Sequence, residues 1–100
     1  MAVDLKKVPS TPGVYKFFNN KEIIYIGKAK NLKNRIASYF GDKKHKAYKT
    51  RVMIKNANRV EYTVVDSEQD ALILENTLIK KHQPRYNVNL KDDKSYTYMV

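Results

Sequence analysis

Glu75 is the residue whose neighbours most demand a chemical explanation. At roughly 100° per residue along a helix, Ala71, Leu72, Leu74, Leu78 and Ile79 form one apolar arc, and Glu75 falls near its centre. A carboxylate that points toward a core must meet a cation, a hydrogen-bond network or solvent in a cleft. Periodicity leaves two accounts open, a structural ion pair with Lys or Arg and a functional ligand. Arg35 and Tyr39 stand four residues apart, a spacing that lets both side chains converge on one helical patch. Taken alone they also fit a surface Arg and a packed Tyr. Tyr15 and Tyr25 fall in two β-like segments, where tyrosine rings commonly cover a sheet face. His45 and His82 show no metal-ligand spacing, and Gly27-Lys28 lacks the flanking residues of a phosphate-binding P-loop.

Several elements must position these groups. Pro9-Ser10-Thr11-Pro12-Gly13 is rich in turn formers, and Val14-Tyr15-Lys16-Phe17-Phe18 reads as a strand. Asn19-Asn20 breaks it, and Glu22 to Gly27 reads as a second strand, paired antiparallel through a short hairpin. Leu32, Ile36 and Tyr39/Phe40 recur at helical spacing after Asn31, which serves as N-cap, and Gly41 stops the helix. A second, more basic helix is predicted over about 44–56, a third strand over 60–65, and a helix from Ser67, opened by a capping-box-like Ser67-Glu68-Gln69-Asp70, to about Lys81. The segment 95–100 again looks extended. The expected class is α+β, a small central antiparallel sheet of about three strands flanked by helices.

Composition narrows the partner. One hundred residues suit one domain with one modest core, and 42% hydrophobic content is too high for a disordered basic tail. Cysteine is absent, so disulfides and cysteine zinc sites are excluded and any metal must rest on oxygen or histidine. No apolar run is long enough to span a membrane and no signal-peptide core follows Met1. A soluble cytoplasmic monomer is expected. The formal charge is +10, and between Lys28 and Lys55 ten basic residues face Asp42 alone. That run is interleaved with Tyr39, Phe40 and Tyr48, which favours a nucleic-acid backbone over a merely solvated face.

Gly13-Val14-Tyr15, followed after nine residues by Tyr25-Ile26-Gly27, resembles the paired signature of the GIY-YIG nuclease superfamily. The run Tyr25 to Arg35, then Ser38-Tyr39-Phe40, is similar in detail to its UvrC branch, as are Ala71 to Glu75, Leu78-Ile79-Lys80, Pro84 to Val88 and Leu90 to Tyr96. Thr97 stands where many relatives carry proline. The resemblance implies one GIY-YIG endonuclease domain over 1–100, the N-terminal part of a longer protein. It implies phosphodiester hydrolysis in double-stranded damaged DNA with one Mg²⁺ or Mn²⁺ held by Glu75. Tyr15, Tyr25, Arg35 and Glu75 would be catalytic, and Lys28, Tyr39 and Asn87 would serve on the substrate side, Asn87 fixing the site by hydrogen bonds. Tyr15 would take the proton of the attacking water, helped by positive charge because a free phenol has a pKa near ~10. In that branch the incision lies on the 3′ side of a lesion, after UvrA and UvrB have located it, and UvrB meets the full-length protein. A stand-alone GIY-YIG endonuclease and a non-catalytic basic module that only grips DNA are the alternatives.

Overall fold

The computed structural model of the chain describes residues 4–40 and 48–87. Within them a short 3₁₀ turn at Leu5–Lys7 precedes strands β1 (Gly13–Asn19) and β2 (Glu22–Ala29), and helix α1 (Leu32–Ser38) follows. Helix α2 (Tyr48–Asn56), strand β3 (Arg59–Val64) and helix α3 (Glu68–His82) complete the order. The predicted extended segment 95–100, the start of the second helix at 44–47 and His45 lie outside the described residues.

The three strands form one antiparallel sheet in the order β2-β1-β3. The central strand β1 is apolar on both faces because both are covered. Tyr15 and Phe17 pack with Leu32 and Ile36 of α1 and with Met53 of α2. On the opposite face Val14 and Ile26 pack with Ala71, Leu74, Leu78 and Ile79 of α3. The apolar arc of α3 is narrower than predicted. Leu72 is 43% exposed and Ile73 58%, because a sheet of three strands is not wide enough to cover them. β2 runs on past Gly27 to Ala29, since Gly27, Lys28 and Ala29 remain paired with Tyr15, Val14 and Gly13.

Local chemistry explains the joints. Asn20 takes φ 59° in the hairpin turn, a conformation asparagine tolerates better than most residues. Asn58, ahead of β3, holds that turn: its side chain accepts from the Asn20 N–H and donates to the Asn20 side-chain oxygen, both at 3.0 Å. A β-bulge between Phe17 and Phe18 sends the consecutive Ile24 and Tyr25 into the same packed layer. Asn31 caps α1 by accepting from the Asn34 N–H. The loop before β1 completes that end, with Thr11 and Pro9 carbonyls accepting from Leu32 and Lys33. Ser67 caps α3 as its sequence predicts, and Gln83 ends it in the left-handed conformation at φ 47°.

The register sets Tyr15 opposite Gly27. A methyl group on Gly27 would overlap the phenol oxygen and ring carbons of Tyr15, so only glycine lets the ring lie flat across β2. Gly27→Ala is expected to cost about 1–3 kcal/mol through overpacking. Urea unfolding checks this, and an unchanged midpoint would mean that the ring has another place to go.

Candidate active site at the edge of the sheet

Tyr15, Phe17, Tyr25 and Tyr39 form one aromatic cluster on the α1 side of the sheet. Tyr39, at the C-cap of α1, meets Phe17 edge-on at 5.0 Å between ring centres and Tyr15 at 5.7 Å. Tyr15 and Tyr25 are 6.3 Å apart. Such edge and tilted contacts are the arrangements aromatic pairs favour. Tyr15 is only 2% exposed, and its hydroxyl shares a hydrogen bond with that of Tyr39 at 2.7 Å. Tyr25 and Tyr39 are half-buried and reach the surface.

β2 lies at the edge of the sheet, and its outward-facing peptide is claimed by one side chain. Asn87 accepts from the Ile26 N–H at 2.7 Å and donates to the Ile26 carbonyl at 2.8 Å. Both polar ends of a residue only 3% exposed are thereby matched to the backbone between Tyr25 and Gly27. Pro84 and Tyr86 anchor the approach. Both are buried, and Asn56 donates to the Tyr86 hydroxyl at 3.0 Å. The predicted substrate-side residue Asn87 is thus tied to the strand that carries Tyr25.

Glu75 on α3 is half-buried, as its place on the apolar arc predicts. Its carboxylate acts on Tyr25 from one side, and Arg35, exposed on α1, acts from the other. α1 and α3 pack on opposite faces of the sheet, and the charge that each carries acts on Tyr25 in β2. Burial above all, then the neighbouring phenol of Tyr39, raises the pKa of Tyr15 and of Tyr25 well above the ordinary tyrosine range. Glu75 adds to this rise at Tyr25, and Arg35 opposes it at both.

No described Lys or Arg pairs with Glu75 within 4.0 Å among the described residues, so the structural ion-pair account of this carboxylate has no support there. The described residues also hold no group of three or more His, Cys, Asp or Glu side chains. A cation held by Glu75 would therefore draw much of its coordination, among the described residues, from water or substrate oxygens. That donor set fits Mg²⁺, which prefers oxygen and keeps several waters.

The predicted residues thus gather at one edge. Tyr15, Tyr25, Tyr39 and Arg35 share an electrostatic neighbourhood that Glu75 enters at Tyr25, Asn87 supports it from below, and Lys28 is exposed at the end of β2. His82 is exposed at the end of α3 and stands apart. The sequence reading missed Asn56 and Tyr86. A polar residue ending a basic helix carries no pattern that reveals a partner thirty residues away.

Two phenols held neutral have a measurable consequence. In the unfolded chain they ionise near ~10, whereas in the fold they keep their protons. The stability they contribute is intact below that pH and falls as pH rises above it. A phenolate absorbance titration is expected to show Tyr15 and Tyr25 ionising late, with the alkaline unfolding. Tyr15→Phe and Tyr25→Phe should each remove one late phenol; tyrosines that all titrate together near ~10 would refute the burial argument.

The UvrC-like GIY-YIG domain family matches residues 11–88. The UvrABC system protein C of Christiangramia forsetii is 54% identical over 100 residues, which are 99% of this chain and 17% of the relative. The chain therefore spans about one sixth of the length of that relative. Among solved structures, the GIY-YIG N-terminal endonuclease domain of UvrC from Thermotoga maritima, bound to its catalytic divalent cation magnesium, is 42% identical. It superposes with a TM-score of 0.76 over 88% of this chain and 100% of that one. A tyrosine-to-phenylalanine variant of the same domain, also bound to its catalytic cation, is 41% identical, with a TM-score of 0.76 over 88% of this chain and 99% of that one. With its two Tyr-Gly signatures paired across one hairpin and the family match running from Thr11 to Val88, the chain belongs to the UvrC-like GIY-YIG domain family.

Proposed function

We propose that the chain is a divalent-cation-dependent DNA endonuclease domain that hydrolyses a phosphodiester bond at the β2 edge. The observation that carries this is the position of Tyr25 on the edge strand, half-buried beside Tyr39 and acted on by both the Glu75 carboxylate and the Arg35 guanidinium. Glu75 would hold the cation, Mg²⁺ or Mn²⁺, which when bound would supply positive charge to neutralise the phosphate and leaving oxygen. The Thermotoga domain with one tyrosine hydroxyl removed is still described as cation-bound, which supports a carboxylate as the holder.

Tyr25 takes the proton of the attacking water. The sequence points to Tyr15 for this role, yet Tyr15 is buried and its hydroxyl is engaged with Tyr39. Tyr25 is the phenol that feels Glu75. It acts as the phenolate, its own proton lost beforehand to solvent; burial and Glu75 oppose that loss and Arg35 favours it. Arg35 also balances charge on the pentacovalent phosphate. Tyr15 and Tyr39 hold each other in place beside it, Lys28 contacts the substrate strand, and Asn87 positions Tyr25 through the Ile26 peptide.

In the longer protein this domain makes the 3′-side incision at damaged DNA during nucleotide excision repair, in the cytoplasm, after UvrA and UvrB have found the lesion. The relatives that share the domain are named as the C protein of the UvrABC system, which supports that assignment. Nicking of supercoiled plasmid with Mg²⁺ tests the chemistry. Glu75→Gln is expected to abolish it, and Tyr25→Phe to slow it on the order of 10²-fold or more, the usual scale for loss of a general base. Full activity in Glu75→Gln would sink the cation assignment, and a normal rate in Tyr25→Phe beside a dead Tyr15→Phe would return the base to Tyr15. Tight binding without any cation-dependent nicking would leave a module that only grips DNA.

A further inference from the structure

Beside the cleft, the end of β2 and one face of α1 enclose a trough of about 350 Å³. Lys28 and Lys30 form one wall, and Asn34, Arg35 and Ser38 form the other. Asn34 and Ser38 are four residues apart, so they share a helix face, and Arg35 lies between the trough and the tyrosine cluster. Three positive charges line it, and no acidic residue does. Lys30 has one ion-pair contact among the described residues, with Glu68 at 4.0 Å, and its side chain is 83% exposed. A pair that long and that wet holds little energy, so its ammonium is available to another anion.

We infer that this trough is a second phosphate subsite, in which Lys30 and Asn34 take the DNA backbone phosphate next to the one being cut. Lys30 supplies charge, and the Asn34 amide supplies a hydrogen bond of the kind with which polar side chains fix register on a duplex, while the Ser38 hydroxyl donates to the Arg35 carbonyl at 2.6 Å and only lines the wall. Arg35 borders both positions, so a strand lying from the tyrosine cluster into the trough is gripped at consecutive phosphates. The cut bond is then placed by its neighbour as well as by its own contacts. This inference rests on the DNA-endonuclease reading above.

Binding of a short fluorescent duplex, measured by anisotropy over a range of salt with EDTA present so that nothing is cut, tests it. Each phosphate contact contributes a slope of about 0.9 in log affinity against log salt, so Lys30→Ala should lower the slope by about one and weaken binding roughly tenfold at low salt. Lys30→Arg should restore both. Asn34→Ala should weaken binding with the slope kept, because no charge is lost. Lys81→Ala, on the far side of the sheet in α3, should change neither. Equal effects of Lys30→Ala and Lys81→Ala, or none from either, would overturn the subsite and leave the nuclease reading standing. Absence of salt-dependent binding by the unaltered chain would overturn both.

Discussion

Everything on the α1 side of the sheet rests on one close approach, the ring of Tyr15 lying over the bare backbone of Gly27. The strand register that creates it also fixes which face each side chain takes. A slip of one residue would carry Tyr15 and Phe17 to the α3 face and Val14 to the other. With the register fixed, Tyr15 meets the hydroxyl of Tyr39, Phe17 supports Tyr39 from beneath, and Leu32 and Ile36 seat α1 against the same layer. The helix that carries Arg35 is therefore placed by contacts that begin at a missing Cβ. Gly13 plays a similar part at the other end of the hairpin, where a Cβ would collide with Leu32 and with the Thr63 carbonyl.

Much of this was legible in the sequence, because the signals were local. Alternation and β-branching gave the hairpin, Asn31 and Ser67 gave the helix starts, and the angle of Glu75 on its helix gave a half-buried carboxylate. Two residues separated by a turn of helix or paired across a hairpin leave a regular trace. The parts that stayed hidden depend on long-range contacts. Nothing in the spacing of Asn56 and Tyr86, or of Asn58 and Asn20, announces that they will touch. The extent of the α3 arc was overstated for a related reason. Periodicity reports which residues share a face, while the width of the sheet decides how many of them are covered, and Leu72 falls beyond it. The different burial of Tyr15 and Tyr25 is likewise something that spacing does not encode.

The chemistry and the grip are divided between elements of different rigidity. Tyr15 sits in the central strand and Tyr25 in its neighbour, both within the packed layer. Lys28, Lys30 and Arg35 stand exposed at the end of β2 and on a helix of only seven residues. Reacting groups on the sheet are held to small displacements, as precise positioning requires. The long exposed cations around them keep more freedom to move. Such a division suits the DNA substrate proposed above, since phosphate contacts carry register without reading bases.

Asn87 has a consequence beyond positioning. An edge strand presents unpaired N–H and carbonyl groups, and another chain can add to them as a further strand. By matching both groups of Ile26 with one amide, Asn87 acts as a one-residue substitute for that missing strand, and the Arg85–Glu22 ion pair lies along the same border at 3.3 Å. A second copy of the protein therefore finds the middle of β2 already satisfied. The peptide beside Tyr25 is thus satisfied by the same residue that holds it in shape, and it offers no free hydrogen bond to an added strand.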